Sequence, residues 1–351
     1  YLGNGWVLTA AHVGQSGTID LGDQGVYNTI SGSQVQVYNP TINGDAYSGT
    51  ATDLILYRIA PNTATGQLPN LAPLVLPTSN PLNGTTVTMV SEGPWVARPT
   101  YYQYSNWSVV SDPASADIAG FDYSAQAPGF QGVKRWGYNI LSNNNTGYDN
   151  GVGKVHALLT DFYSFGTSTS SGITNECALA NGDSGGGMFG VSESVGLLGI
   201  LDVKFEYTNQ PSYVAMYGSS SGMVNVAWYA SNLATTMGMY QWTSTANGNW
   251  SDAKWNKFLN ASAIAGPNGA GTTVNLLATN TAARTITLTT SPTIGTLNFN
   301  STKSYTLSTN TAQTLTFDNS GNGATLANWE GTHAISAAVV LNDNLSVNVK
   351  T

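Results

Sequence analysis

Charge is what this chain has least of: Asp, Glu, Lys and Arg make up only 9% of 351 residues, and just 11 of those are basic. Phosphate backbones and anionic membrane surfaces are bound by clustered Lys and Arg. Eleven scattered basic residues in a chain of formal charge -8 therefore argue against a nucleic-acid partner and against an anionic membrane. Cysteine is nearly missing as well. Cys177 stands alone, so no intrachain disulfide and no cysteine-based zinc cluster can form, and the fold rests on packing. No apolar run is long enough to span a bilayer, and neither end carries a basic stretch followed by an apolar one. Tyr1-Leu2-Gly3 reads as the middle of a strand and Val347-Asn348-Val349 stops mid-pattern, so a longer parent chain with any export signal upstream is expected.

What is present is apolar residues at 41%, 39 glycines and much Asn, Ser and Thr, the composition of a folded, β-rich chain with an uncharged polar surface. Its length suits one large unit plus a smaller one. Short alternating runs such as Gln34-Val35-Gln36-Val37-Tyr38 are separated by Asn, Gly and Pro turns, which is all-β punctuation.

Three segments carry chemistry. Asn181-Gly182-Asp183-Ser184-Gly185-Gly186-Gly187 sets one serine among glycines, which permit a sharp turn and let the amides of Gly182 and Ser184 point at one developing oxyanion. A flexible glycine turn has the same composition. Gly5-Trp6-Val7-Leu8-Thr9-Ala10-Ala11-His12-Val13 is a strand closing on small residues and a histidine, whose ring the small alanines let the chain present at an edge. Asp53-Leu54-Ile55-Leu56-Tyr57-Arg58-Ile59 puts a carboxylate at the mouth of a strand buried on both faces; alone, that aspartate reads as a turn former. Taken together, His12, Asp53 and Ser184 are the three parts of a general-base-activated nucleophile.

In Leu8-Thr9-Ala10-Ala11-His12, Asp53-Leu54-Ile55-Leu56 and Gly182-Asp183-Ser184-Gly185-Gly186 the sequence resembles the trypsin-like (chymotrypsin-fold) serine proteases, over residues 1 to about 238. The resemblance implies two antiparallel six-stranded β-barrels with the site between them, His12 and Asp53 from the first and Ser184 from the second. It implies peptide or protein substrates and no metal or organic cofactor. Only eleven residues precede His12, so the first barrel is expected to be incomplete. Insertions are expected within 101–150, and strands over Val133–Asn139 and His156–Phe162. In zymogen-activated relatives the residue matching Asp183 pairs with a freed N-terminal amine; here it needs another partner. Gly187 stands where the family often has proline. His156 and His333 have no accompanying pattern and are read as structural.

By the same resemblance Ala178 forms the floor of the specificity pocket, and Asp202, Val203, Lys204 and Gly222 its wall. With no carboxylate at 178, cleavage after Lys or Arg is not expected. Relatives carry Ser-aromatic-Gly at 202–204. An aspartate there either approaches Asp53, where two close carboxylates resist joint ionisation, or turns away, or the match slips locally. Lys204 reads either as a ligand for an acidic side chain or as a solvated surface residue.

Ala227–Met237 has helical spacing with a glycine stop at Gly238, which places a boundary near 240 and gives two units, 1–240 and 241–351. Beyond it Trp242, Trp250 and Trp255 cluster, either as a cap over a core or as a sugar-binding platform. Short strands such as Thr285–Leu288, Gly295–Phe299, Tyr305–Leu307 and Gln313–Asp318 each bury too little alone and must stack, as in a β-solenoid-like repeat region. This part resembles the strand repeats of bacterial autotransporter-type passenger proteins. The whole therefore reads as a secreted or cell-surface bacterial endopeptidase, with a cell-surface binding or adhesive module on an inactive protease fold as the alternative. Nothing in the sequence fixes the oligomeric state.

Overall fold

The computed structural model describes residues 1–349 apart from 66–67, 70, 72–73, 75, 78, 94–97, 125–133, 164–172, 174, 192–195, 258–262 and 278–279. Val133, at the head of an expected strand, lies outside the described residues; the strand begins at Arg135. The architecture is all-β with one α-helix among the described residues, as expected.

The continuous apolar run after Asp53 becomes the strand Ala51–Arg58, buried from Thr52 to Tyr57. A strand buried on both faces needs neighbours on both edges. Trp6–Thr9 pairs antiparallel on one side, with Leu8 opposite Leu56, and Val35–Tyr38 on the other, with Val35 also opposite Leu56. These three strands and the separate hairpin of Thr18–Asp20 with Val26–Asn28 stand in place of a closed first barrel among the described residues.

The second barrel is closed. Its six antiparallel strands run, in spatial order, Arg135–Asp149, Lys154–Asp161, Ser220–Asn225, Leu197–Phe205, Gly187–Gly190 and Thr86–Ser91, and the last pairs back to the first. Closure leaves no free edge, and the interior is filled by Val87, Met89, Leu141, Leu158, Met188, Leu198, Leu201 and Met223. Part of the expected insertion forms a further sheet: Arg98–Gln103, Ser108–Val109 and Ile118–Asp122 are joined by Val214–Met216.

The helix Val226–Thr236 starts where the Asn225 side chain accepts from the Ala227 amide, and it buries Val226, Tyr229, Ala230, Leu233 and Ala234, the face that 3.6-residue periodicity dictates. It packs on a core shared by both halves, with Leu8, Leu54 and Leu56 from the first sheet and Val155, Leu197 and Val224 from the barrel. Tyr229 ties the halves together. Its hydroxyl accepts from Thr52 Oγ1 at 3.0 Å and from the His156 amide at 3.0 Å, and donates to Asn39 Oδ1 at 2.8 Å. Asp53 therefore sits on a strand fixed from the residue before it.

From Met239 on, pairing turns parallel. Met239–Trp242, Thr273–Leu277, Thr296–Asn300, Ala324–Glu330 and Leu345–Val349 stack in one sheet, with Trp255–Lys257 antiparallel on its outer edge; two further sheets complete the coils. Each rung buries its apolar residues on the next, as Val274, Leu297 and Leu326 do in register. Inside, Asn298 Nδ2 donates to Asn275 Oδ1 at 2.9 Å. Trp242, Trp250 and Trp255 are fully buried at the start of this core, so they cap it and expose no indole face for a sugar. The coils dock on the first sheet through Asn4, whose Nδ2 donates to Gly271 O and Thr273 Oγ1 and whose Oδ1 accepts from Asn319 at 2.8 Å.

Candidate active site

His12 and Asp53 meet at the seam between the first sheet and the barrel. The chain leaves Thr9 and tightens through Ala10 and Ala11, with the Ala11 amide bonded to the Asp53 carbonyl. That turn brings His12 Nδ1 to 2.6 Å from Asp53 Oδ2, while the His12 amide donates to Asp53 Oδ1 at 2.8 Å. Both carboxylate oxygens are thus engaged by one residue, which fixes the imidazole with Nδ1 facing the carboxylate and Nε2 facing outward. Asp53 is 0% exposed. Burial pushes its carboxyl up, but the hydrogen bonds from the His12 ring, from Asp202 and from the His12 amide outweigh it and hold the group below the ordinary value.

Two residues that sequence reasoning passed over complete the floor. Asn150 shapes the turn between two barrel strands: its Oδ1 accepts from the amides of Val152 and Gly153. The same side chain donates from Nδ2 to Asp53 Oδ2 at 2.5 Å and to Asp202 Oδ1 at 3.0 Å. Tyr148 Oη donates to Asp202 Oδ2 at 2.6 Å. The turn can approach only because residue 153 is glycine, since a Cβ there would lie 2.6 Å from the Thr52 carbonyl carbon and 2.7 Å from the Asp53 nitrogen.

Asp202 does approach Asp53. Pairing between Leu197–Phe205 and Ser220–Asn225 slips between Leu201, opposite Met223, and Val203, opposite Gly222, so Asp202 is the extra residue of a bulge. Such a bulge re-aims the side chain that the plain alternation of a strand would direct elsewhere. Asp202 Oδ1 lies 3.6 Å from His12 Nδ1. Burial first, and then the neighbouring Asp53 charge, push its carboxyl up to about 7 against the downward pull of the Tyr148 hydrogen bond.

Ser184 occupies the turn before Gly187–Gly190 and is brought to the same place by Asp202. Its Oγ donates to the Asp202 carbonyl oxygen at 3.2 Å. Among the described residues its hydroxyl makes that bond and none to His12. Gly185, at φ +83°, packs so close to the histidine segment that a Cβ would lie 2.5 Å from Thr9 Oγ1. The loop turns through Gly182 at φ +98°, and neither the Gly182 nor the Ser184 amide donates to a backbone acceptor among the described residues.

Asp183 has the partners it needed. Ser91 Oγ donates to Oδ1 at 2.5 Å and the Ala180 amide to Oδ2 at 2.7 Å, with the Gly93 amide also bonded to the carboxylate. Burial raises this carboxyl above its ordinary value despite those three bonds. The loop is therefore ordered by the barrel strand Thr86–Ser91 and the residues after it.

The expected pocket residues are not gathered around one opening. Ala178 walls a cavity of about 270 Å³ with Phe121, Cys177, Asp183 and Leu201, and Ser184 is not part of that wall. Burial first, then the charges of Asp183 and Glu176, push the Cys177 thiol up to about 12. The space beside Gly222 is filled by Val203, Phe205 and Tyr148, each within about 3 Å of where a Cβ would stand. Lys204 is neither free in solvent nor open to a substrate carboxylate: its Nζ donates to Tyr123 Oη at 2.9 Å and pairs with Glu206. The cleft that contains Ser184, about 380 Å³, is walled instead by Thr9, Ser91, Glu92, Lys134, Gly182 and Gly185.

His12, Asp53 and Asp202 are the only grouping among the described residues with the spacing of metal ligands. The donors already directed at both carboxyls from Asn150 and Tyr148 stand where a cation would need free oxygen lone pairs, so the set does not fit a metal.

Fold and site together define a barrel-seam centre with a histidine held by a buried carboxylate beside a glycine-flanked serine. No protein family and no curated protein matches the sequence. Solved structures similar to the chain include neuropsin, a serine protease of mouse brain, at 16% identity over 67% of this chain and 86% of that one, with a TM-score of 0.38. The MamO protease domain of Magnetospirillum magneticum is similar at 13% identity, over 65% of this chain and 82% of that one, TM-score 0.34. The passenger domain of the plasmid-encoded toxin, an autotransporter enterotoxin of enteroaggregative Escherichia coli, aligns over 100% of this chain but only 31% of its own length, at 12% identity and TM-score 0.39. Likenesses this distant carry no information on chemistry, which has to come from the site.

Proposed function

We propose that the chain is a trypsin-like serine endopeptidase, bacterial and either secreted or held at the cell surface, with a catalytic unit over 1–240 and a β-solenoid-like unit over 241–351. The observation that carries this reading is the buried Asp53, gripped through both oxygens by the ring and amide of His12, beside a serine in a glycine turn. In the reaction Ser184 Oγ attacks the peptide carbonyl and its proton passes to His12 Nε2. Asp53 holds the tautomer and stabilises the imidazolium, which then protonates the leaving amine. The amides of Gly182 and Ser184 stabilise the oxyanion. Ser184 must first leave the Asp202 carbonyl for His12; such hydrogen bonds are often unmade before substrate arrives.

With Ala178 uncharged, preference for Lys or Arg has no support; with Lys204 engaged by Tyr123 and Glu206, neither has preference for an acidic side chain, and substrate is a peptide or protein. One observation favours the second reading, a binding module on an inactive protease fold: Ser184 is bonded away from His12. Peptide-library turnover tests the choice. The endopeptidase reading expects turnover that Ser184→Ala abolishes in a folded chain, and unchanged turnover in that variant would overturn it.

A further inference from the structure

Asp202 has no part in the three-residue scheme, yet it is buried against it, 6% exposed. One carboxyl oxygen takes an Asn150 hydrogen bond at 3.0 Å and lies 3.6 Å from His12 Nδ1; the other bonds Tyr148 Oη at 2.6 Å. Because the same Asn150 nitrogen bonds Asp53 Oδ2, one amide group joins both carboxyls. The ionisable groups that face Asp202 are Asp53 from the central strand, His12 from the loop before it, Tyr148 from the long barrel strand and, farther off, Tyr229 from the helix. Lys204, two residues along, is turned to Tyr123 and Glu206 and supplies no compensating charge.

We propose that Asp202 is a second positioning residue for the His12 imidazole: joined to Asp53 through Asn150, it governs how much negative charge the ring faces and so how strongly His12 holds the serine proton. The catalytic meaning rests on the endopeptidase reading; the proton coupling itself does not. Two carboxyls in one buried site resist joint ionisation. While Asp202 keeps its proton, the pair carries one charge, partly drawn from the oxygen that His12 bonds. Once that proton has gone to solvent, the imidazolium faces two carboxylates and is favoured. During the reaction a single proton moves, from Ser184 Oγ to His12 Nε2 and on to the leaving group, and Asp202 keeps the state that pH has given it.

The test is an NMR titration of the His12 ring in the full chain carrying Ser184→Ala, with Asp202 intact, with Asp202→Asn and, separately, with Tyr148→Phe. With Asp202 intact, His12 is expected to titrate in two coupled steps. Asp202→Asn should leave one step, its midpoint moved to lower pH. Tyr148→Phe removes the hydroxyl that pulls Asp202 down, so the second step should move to higher pH; this variant carries the test if Asp202→Asn does not fold. Identical His12 curves in the intact chain and the folded variants would overturn the proposal. With Ser184 restored, Asp202→Asn should move the acid limb of kcat/KM to lower pH and lower its plateau; an unmoved limb would also overturn it. A chain that titrates as expected but cleaves nothing supports the coupled pair and sinks the peptidase reading instead.

Discussion

Replacing Tyr229 by phenylalanine removes one oxygen atom and strands three polar groups in the seam between the first sheet and the barrel. Tyr229 is fully buried, and its hydroxyl serves Thr52 Oγ1, the His156 amide and Asn39 Oδ1 at 3.0, 3.0 and 2.8 Å. Asn39 keeps its amide bonds to Thr50 and Lys154, so it loses only its acceptor's partner. Thr52 is itself 0% exposed and cannot turn to water. A buried polar group left unpaired costs about 1–3 kcal/mol, and the three strandings share one small void, so a total of about 3 kcal/mol is expected. That is roughly a hundredfold in the folding equilibrium. Urea unfolding of Tyr229→Phe should show a lower midpoint at unchanged slope, and hydrogen exchange in Ala51–Arg58 should quicken more than exchange in the coils beyond 273. Turnover should fall as well, because Thr52 precedes Asp53. An unchanged midpoint with unchanged exchange in that strand would refute the claim that this hydroxyl locks the Asp53 strand in place.

Stability should also depend on pH through Asp202. Its carboxyl keeps a proton in the folded chain up to about pH 7, whereas in the unfolded chain it ionises near the ordinary 3.8. The folded state thus binds more protons across that window, so this contribution is complete below about pH 4 and is lost as pH rises through 7, on the order of 4 kcal/mol. Melts of the wild-type chain and Asp202→Asn between pH 4 and 8 check this, since the variant should lack that falling component. Gly153→Ala should push the 150–153 turn off the Thr52 backbone and pull Asn150 from Asp53, lowering kcat on the order of tenfold with little change in KM. Steady-state kinetics on that variant would detect it.

Residues that announce themselves through local composition were legible in the sequence. The apolar run after Asp53, the small residues before His12 and the glycines around Ser184 each fold as their composition requires, and the helix expected over 227–237 from its spacing and glycine stop forms over Val226–Thr236. The stacked strands after Thr273 were legible as short units unable to stand alone, although the three-sheet arrangement depends on which strands pair. What escaped was set by long-range register. Nothing in Leu201-Asp202-Val203 shows that pairing slips by one residue there, yet that slip aims Asp202 at His12. Asn150 was hidden because an Asn-Gly turn accounts for it locally, and its contact with Asp53 spans 97 residues of sequence. Ser91, which holds Asp183, is likewise an ordinary strand-end serine until the barrel closes. The residues expected to wall one pocket do not line one opening: Val203, Phe205 and Tyr148 fill the space beside Gly222, and Lys204 is turned to Tyr123 and Glu206.

The central claim is that His12, held by Asp53, activates Ser184 as a nucleophile. Covalent labelling by a fluorophosphonate probe, mapped by mass spectrometry on the folded full chain, tests it most directly. The account predicts one adduct on Ser184, formed faster as His12 loses its proton with rising pH, and slowed by orders of magnitude in His12→Ala. No adduct on Ser184, or labelling at an equal rate without His12, would contradict it.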